Sequence, residues 1–412
     1  MEGQTARTPF PAPRALAGAL CRPSARSRPE LRRERPAVSQ TVHLSPQQGI
    51  VYYVANFTNR VSQPLKKTLL TALCLAAVLF SYPAWKPLAK RYSWFVIATN
   101  IGADSVRRIG WISGQIGQAA ALHPPESGLE QDVARTRGIY QTYLSFAGWK
   151  DTDIAGKRVL ELGPGYHMGV PLLFAAHGAS FVAGLDKFVP FQTGSYFREF
   201  YSRLRDTLRD GEKADFDGAI QSRPQLALRP SRAQHIYGKE LPDVVNDLGP
   251  GTFDLIGSNA VIEEMYDPEP IFQAQDRLLR PGGLMVHKID LRDYGMFTKY
   301  GFPALEFLTV PEWAYRHMAE ASGQPNRRRV NYYRDVARHL GYDYTIYVTH
   351  ILGVDKELVS PKESIDRNLD YSDFSLQTIR EIRPRLVPQF RELSDADLLV
   401  QGIFFVARKP GP

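Results

Sequence analysis

Cysteine is nearly absent. The chain of 412 residues has two, Cys21 and Cys74, which leaves no disulfide framework and no thiolate metal site. Long apolar runs are missing as well. The stretch from Thr68 to Tyr82 closes at Pro83, short of the ~20 residues that a membrane-spanning helix needs. Excess charge is missing from most of the chain. The net charge is +8, yet residues 1–46 alone hold eight Arg against three Glu. The remainder is close to neutral, so the whole protein does not read as a nucleic-acid binder. No methionine separates Met1 from Met168, the pattern that a start assigned too far upstream would leave.

Residues 1–46 are rich in Pro, Arg, Ala and Ser. Such a basic tail buries too little apolar surface to offset its chain entropy and is expected to be disordered. Residues 66–122 read as an apolar helical segment whose run carries basic residues at both ends (Lys66, Lys67; Lys86, Lys90, Arg91). Three readings are open for Leu69 to Tyr82: a short anchor or interfacial helix in contact with a membrane, an ordinary packed helix, or a signal peptide. Charges at both ends give no orientation.

What the chain does have is a tight turn after a short strand. Val159-Leu160-Glu161-Leu162 is apolar apart from one acid, and Gly163-Pro164-Gly165 follows. Glycine lets the chain turn sharply and lets a ligand approach the backbone. A dinucleotide fingerprint asks for G-x-G-x-x-G. Here the third position is Met168 and the next glycine is Gly169. Glu161 would sit badly beside a pyrophosphate but suits a ligand with a cationic amino-acid end. Asp186 closes the next apolar run, Phe181 to Leu185, and can accept hydrogen bonds from both hydroxyls of a ribose. Met168 and Glu161 argue against a nicotinamide-dependent reductase.

At these residues the chain resembles the class I S-adenosylmethionine-dependent methyltransferases. The first motif of that family, acid-x-Gly-x-Gly, is matched from Glu161 to Gly165, and its ribose-binding acid by Asp186. Phe253-Asp254-Leu255-Ile256-Gly257-Ser258-Asn259, followed by Val261-Ile262-Glu263-Glu264, is similar to its fourth strand and the helix start beyond it. Leu279-Arg280-Pro281-Gly282-Gly283 is similar to the turn before its fifth strand. Glu264 stands where many relatives carry histidine. The resemblance, from Val133 to Lys409, implies S-adenosylmethionine as cofactor, with Glu161, Gly163, Gly165, Tyr166, Asp186, Glu240 and Asn259 around it. His287 to Asp293, with Asn326-Arg327, is similar to methyltransferase-like proteins encoded with bacterial surface-polysaccharide genes. That likeness implies a small-molecule or glycan acceptor, a sugar oxygen included, and a cytoplasmic enzyme near the inner face of a membrane. The alternative is a non-catalytic binding or assembly protein with the same fold.

From Arg158, strands at 158–162, 181–185, 233–237, 253–258 and 283–289 alternate with helices at 169–177, 193–209 and 268–279. This is the rhythm of a doubly wound, Rossmann-like α/β sheet. Tyr342 to Thr349 and Gly402 to Arg408 read as two further strands, and the resemblance implies seven in all with the last antiparallel. Residues 123–410 then form the catalytic domain, opened by a helix from Glu126 to Phe146 and carrying a cap insertion at about 351–399. On that first helix Thr136, Tyr140 and Tyr143 share one face.

Methyl transfer needs a base only where the acceptor is a hydroxyl or a protonated amine. His287, Glu264 and Asp290 are the candidates, and no metal is expected. Alternation along the strand puts His287 and Asp290 on opposite faces. Asn326-Arg327-Arg328-Arg329 reads either as a clamp for an anionic acceptor or as a solvated charge run. Tyr294, Phe297, Tyr300 and Phe302 either line an acceptor pocket or pack beneath the cap.

Overall fold

The computed structural model describes residues 82–109, 128–354, 357 and 371–411. The basic tail, the apolar run before Tyr82 and the middle of the 351–399 segment lie outside the described residues. Among the described residues no helix is long and apolar enough to cross a membrane.

Seven strands form one sheet: β1 (Arg158–Leu162), β2 (Phe181–Asp186), β3 (Ala233–Tyr237), β4 (Phe253–Asn259), β5 (Leu279–Asp290), β6 (Asp343–Ile351) and β7 (Val400–Arg408). Their order is β3-β2-β1-β4-β5-β7-β6. β1 to β5 pair in parallel, and β7 runs antiparallel to both its neighbours. This is the doubly wound Rossmann-like sheet that the motifs imply. The order reverses between β1 and β4, which opens a crevice beyond their carboxyl ends.

The helices are α1 (Tyr82–Arg91), α2 (Ser93–Arg107), α3 (Leu129–Ala147), α4 (Gly169–Ala176), α5 (Ser195–Asp206), α6 (Asp210–Ala219), α7 (Leu241–Leu248), α8 (Glu269–Leu278), α9 (Glu312–Ala319), α10 (Val330–His339) and α11 (Asp373–Ile382), with shorter turns between. α3 ends where Gly148 turns left-handed and donates its N–H to the carbonyls of Leu144 and Ser145, a common helix stop. Every residue of α4 is buried, as its wholly apolar sequence requires. Residues of α3 to α6 form one apolar layer on the sheet, and those of α7, α8 and α10 form the other.

Two boundaries differ from the sequence reading. The helix expected over 193–209 stops at Asp206, and α6 follows it. β5 begins at Leu279 rather than 283: Leu279 pairs with Phe253, and the register shifts before Leu284 pairs with Leu255. The Pro-Gly-Gly step is thus an irregularity inside the strand.

A third cluster joins α1 and α2 through Ala89 and Val96, the segment after β5 through Phe297, Phe307 and Tyr315, and residues 371–399 through Ile379 and Leu386. The cap expected from 351–399 alone is therefore composite. Within 291–329 the sequence reading singles out Tyr294 to Phe302 and Asn326 to Arg329 but draws no element, because the 3-10 turns carry no helical period and α9 has only eight residues. Phe297 and Tyr300 pack inside this cluster, whereas Tyr294 is 40% exposed.

Candidate functional site

Glu161 on β1 lies in register with Gly184 of β2 and Gly257 of β4. No side chain flanks it on the neighbouring strands. The room is used: a Cβ at Gly184 would come 2.4 Å from Met168 Sδ, and one at Gly257 3.4 Å from the Tyr143 ring. The Tyr143 hydroxyl donates to Glu161 Oε1 at 3.2 Å. Burial pushes the Glu161 carboxyl up to about 8. Burial, more than the charge of Glu161, also pushes the Tyr143 phenol well up.

The turn follows at once. Gly163 has φ +64°, donates its N–H to Leu185 O at 2.8 Å, and leaves no space for a side chain, since a Cβ would meet Val261 Cγ2 at 2.5 Å. Gly163→Ala is therefore expected to cost about 2–4 kcal/mol, from left-handed strain and forced overpacking. The denaturation midpoint should fall accordingly, and Val261→Ala in the same chain should recover the steric part alone. Over Gly165 the structure is open: among the described residues no atom beyond its chain neighbours lies within 4 Å of a Cβ position. Its N–H donates to Asp186 Oδ2 at 3.3 Å. Oδ1 of Asp186 accepts the N–H groups of Phe188 and Val189, both at 2.8 Å.

The other expected residues fall along the same edge. Tyr166 is 36% exposed in the glycine loop. Glu240 stands at the N-cap of α7 and contacts Lys187, the residue after Asp186. Asn259 ends β4 opposite Lys288. His167 is held rather than loose: it stacks on Phe200 at 3.9 Å, and its Nε2 lies 3.3 Å from Asp132. A turn with glycine on both sides of Pro164 and open space over Gly165, between a buried acid with one phenol partner and a second acid at the next strand end, fits a nucleoside bearing amino and hydroxyl donors.

The model of a family described as a methyltransferase domain matches residues 134–344, just over half of the chain. The chain belongs to the class I S-adenosylmethionine-dependent methyltransferases. No curated protein matches it. Solved structures similar to it include Haemonchus contortus phosphoethanolamine N-methyltransferase 2 in complex with S-adenosyl-L-methionine (14% identity, TM-score 0.33), which covers 66% of this chain and 52% of that one. An S-adenosylmethionine-dependent methyltransferase from Mesorhizobium loti (15%, TM-score 0.31) covers 66% and 100%, and one from Archaeoglobus fulgidus (14%, TM-score 0.32) covers 68% and 95%. The chain thus spans about half the length of the Haemonchus enzyme.

The three candidate bases of this methyltransferase fare differently. His287 has no exposed surface. Its ring bridges Ser258 Oγ at 2.8 Å and Gln275 Oε1 at 2.7 Å, and burial holds it down to about 3. It cannot touch an acceptor, so the base role is corrected: His287 is a core residue that joins β4, β5 and α8. Asp290 reaches the crevice, but its carboxylate accepts the Arg292 guanidinium. Glu264, in the turn after β4, keeps one side exposed while protein crowds its other side. Desolvation first, and the Asp186 charge second, push its carboxyl up to about 7. Among the described residues no group of His, Cys, Asp and Glu is arranged to hold a metal ion.

Both readings of Asn326 to Arg329 need correction. Asn326 donates to Ile262 O and Met265 O, both at 2.9 Å, and so fixes the turn that carries Glu264. Arg327 donates to Phe307 O at 3.1 Å and Val310 O at 2.6 Å. Arg329 is 1% exposed and donates to four carbonyls. Only Arg328 is exposed. The buried three serve backbone carbonyls, and Arg327 also donates to the Glu312 carboxylate, so their donors are already engaged within the chain. Several participants escaped the sequence reading: Asp132 under His167, Val261 against Gly163, and the buried Glu263, which accepts the Asp290 N–H at 2.9 Å and the Tyr294 hydroxyl at 2.8 Å. Gly184 and Gly257, glycines inside strand patterns, are the signals of close approach that the sequence holds.

Proposed function

We propose that this chain transfers a methyl group from S-adenosylmethionine to a small molecule or glycan, at a sugar oxygen. One observation carries the reading: two acids at neighbouring strand ends flank a glycine turn that is open at Gly165. In it, Glu161 meets the amino end of the cofactor and Asp186 its ribose hydroxyls. Gly163 and Gly165 give backbone access, Tyr166 borders the carboxylate end, Glu240 lies on the adenine side and Asn259 borders the centre. The bound cofactor supplies a methyl group on a cationic sulfur, a leaving group already activated. The protein contributes position and dryness, and Glu264 as carboxylate takes the proton from the acceptor hydroxyl. Residues 123–410 form the catalytic domain, on the cytoplasmic side where the cofactor is made. The apolar run ending at Tyr82 brings it to the membrane.

Calorimetry tests this reading. The Glu161 carboxyl, raised to about 8, is mostly protonated at pH 7, and a cationic partner favours the carboxylate. Binding of S-adenosylmethionine at pH 7 should therefore release a proton, seen as a heat that varies with the buffer's ionisation enthalpy. Affinity should rise between pH 6.5 and 8, and Glu161→Gln should remove both effects. Absence of binding would defeat the proposal, and binding without proton release would take Glu161 out of the site.

A further inference from the structure

A cavity of about 400 Å³ opens at the carboxyl edge of the sheet, between the ends of β5 and β6. The strand register explains the room. Asp290 on β5 lies opposite Gly402 on β7, and Gly402 lies opposite His350 on β6. A Cβ at Gly402 would come 2.6 Å from Thr349 Oγ1 and 2.8 Å from His350 Nδ1. The imidazole thus lies over bare backbone. His350 and Asp290 line the cavity together with Arg292, Tyr294 and Gln401. Tyr294 links the cavity to the turn that carries Glu264, because its hydroxyl donates to Glu263, the neighbour of Glu264. Tyr294 holds this place at φ +51°, a left-handed backbone that a bulky residue rarely keeps and that clusters at ligand sites.

The charges of the wall are already matched. Arg292 folds back on Asp290, with Nε at 2.9 and 3.1 Å from its two oxygens. Asp293 accepts the N–H groups of Gly295, Phe297 and Thr298 and the Thr298 hydroxyl, all within 2.9 Å. The wall therefore offers no unpaired cation to a phosphate or carboxylate. Gln401 is 3% exposed, and among the described residues its buried Oε1 has no partner, while its amide N–H reaches Leu398 O at 3.2 Å. Among the described residues His350 meets only Thr349 Oγ1, through Nδ1 at 3.3 Å. A buried acceptor without a donor is costly, and a ligand hydroxyl would satisfy it. The half-open Tyr294 ring offers an apolar face beside it.

We propose that this cavity binds the methyl acceptor, and that the acceptor is a neutral polyhydroxylated ring held through its hydroxyls by Gln401 and His350, with Tyr294 on the side toward the cofactor. The inference rests on the methyltransferase reading above.

The two are tested separately. Binding of S-adenosylhomocysteine to the full chain is measured first, and its failure would defeat the methyltransferase reading and this inference with it. With the cofactor product bound, saturation-transfer NMR is run with methyl glycosides of neutral hexoses and with hexose 6-phosphates. The neutral glycosides should take up saturation and the phosphates should not. His350→Leu and Gln401→Leu should each cut the glycoside signal at least fivefold, with S-adenosylhomocysteine affinity within twofold of the parent. Preference for the phosphates, silence from every neutral glycoside, or an undiminished signal in both variants would overturn the assignment.

Discussion

Arg329→Met lowers the folding free energy by about 4 kcal/mol or more. The guanidinium donates to Leu291 O at 2.6 Å, Val400 O at 2.5 Å, Leu398 O at 2.9 Å and Asp397 O at 3.2 Å. Methionine fills similar space and donates nothing, so buried carbonyls are stranded at about 1–3 kcal/mol each. The Gln401 amide, already on Leu398 O, recovers little. Burial lowers the guanidinium to about 10, so it stays protonated at neutral pH. Arg329→Lys should recover less than half of the loss, because one ammonium cannot reproduce the planar fork. Guanidinium chloride unfolding reads the difference. A loss below ~1 kcal/mol would mean that water reaches these carbonyls. The four acceptors join the end of β5 to the start of β7, so the damage should fall on the acceptor cavity before it reaches the glycine loop.

Glu264→Gln should cut methyl transfer about a hundredfold or more, the ordinary worth of a positioned base, while S-adenosylhomocysteine binds as before. A base must be deprotonated to act. With its carboxyl raised to about 7, the parental rate should climb with pH through about 7 and level off above it. The amide variant should be low and flat over that interval. Initial rates with labelled methyl at saturating S-adenosylmethionine, which removes the pH dependence of cofactor binding through Glu161, provide the check against pH. An unchanged rate in the variant would mean that the acceptor reacts without losing a proton to Glu264.

Much of the scaffold was legible because a doubly wound sheet writes itself as apolar runs that end in acids and glycines. Glu161, Asp186 and the crevice between β1 and β4 follow from that grammar. The bases did not, and the reason is geometric. Alternation assigns His287 and Asp290 to opposite faces, but both faces of the central strand β5 are covered, so parity alone cannot say which one is open. The Asn326 to Arg329 run failed for a related reason: a row of arginines reads as charge, whereas here its worth lies in donor geometry toward carbonyls distant in sequence. His350 was invisible because its place depends on Gly402, across a register that only pairing of β6 with β7 creates.

The contact between Gly163 and Val261 has a consequence for engineering and for descent. The glycine turn at Gly163 and the turn that carries Glu264 interlock like a key and its ward, although one precedes β2 and the other follows β4. Neither can be recut alone. A transplant of the loop from Glu161 to Gly165 into another sheet would need the valine or something smaller at the facing position, and homologues that enlarge one partner should shrink the other.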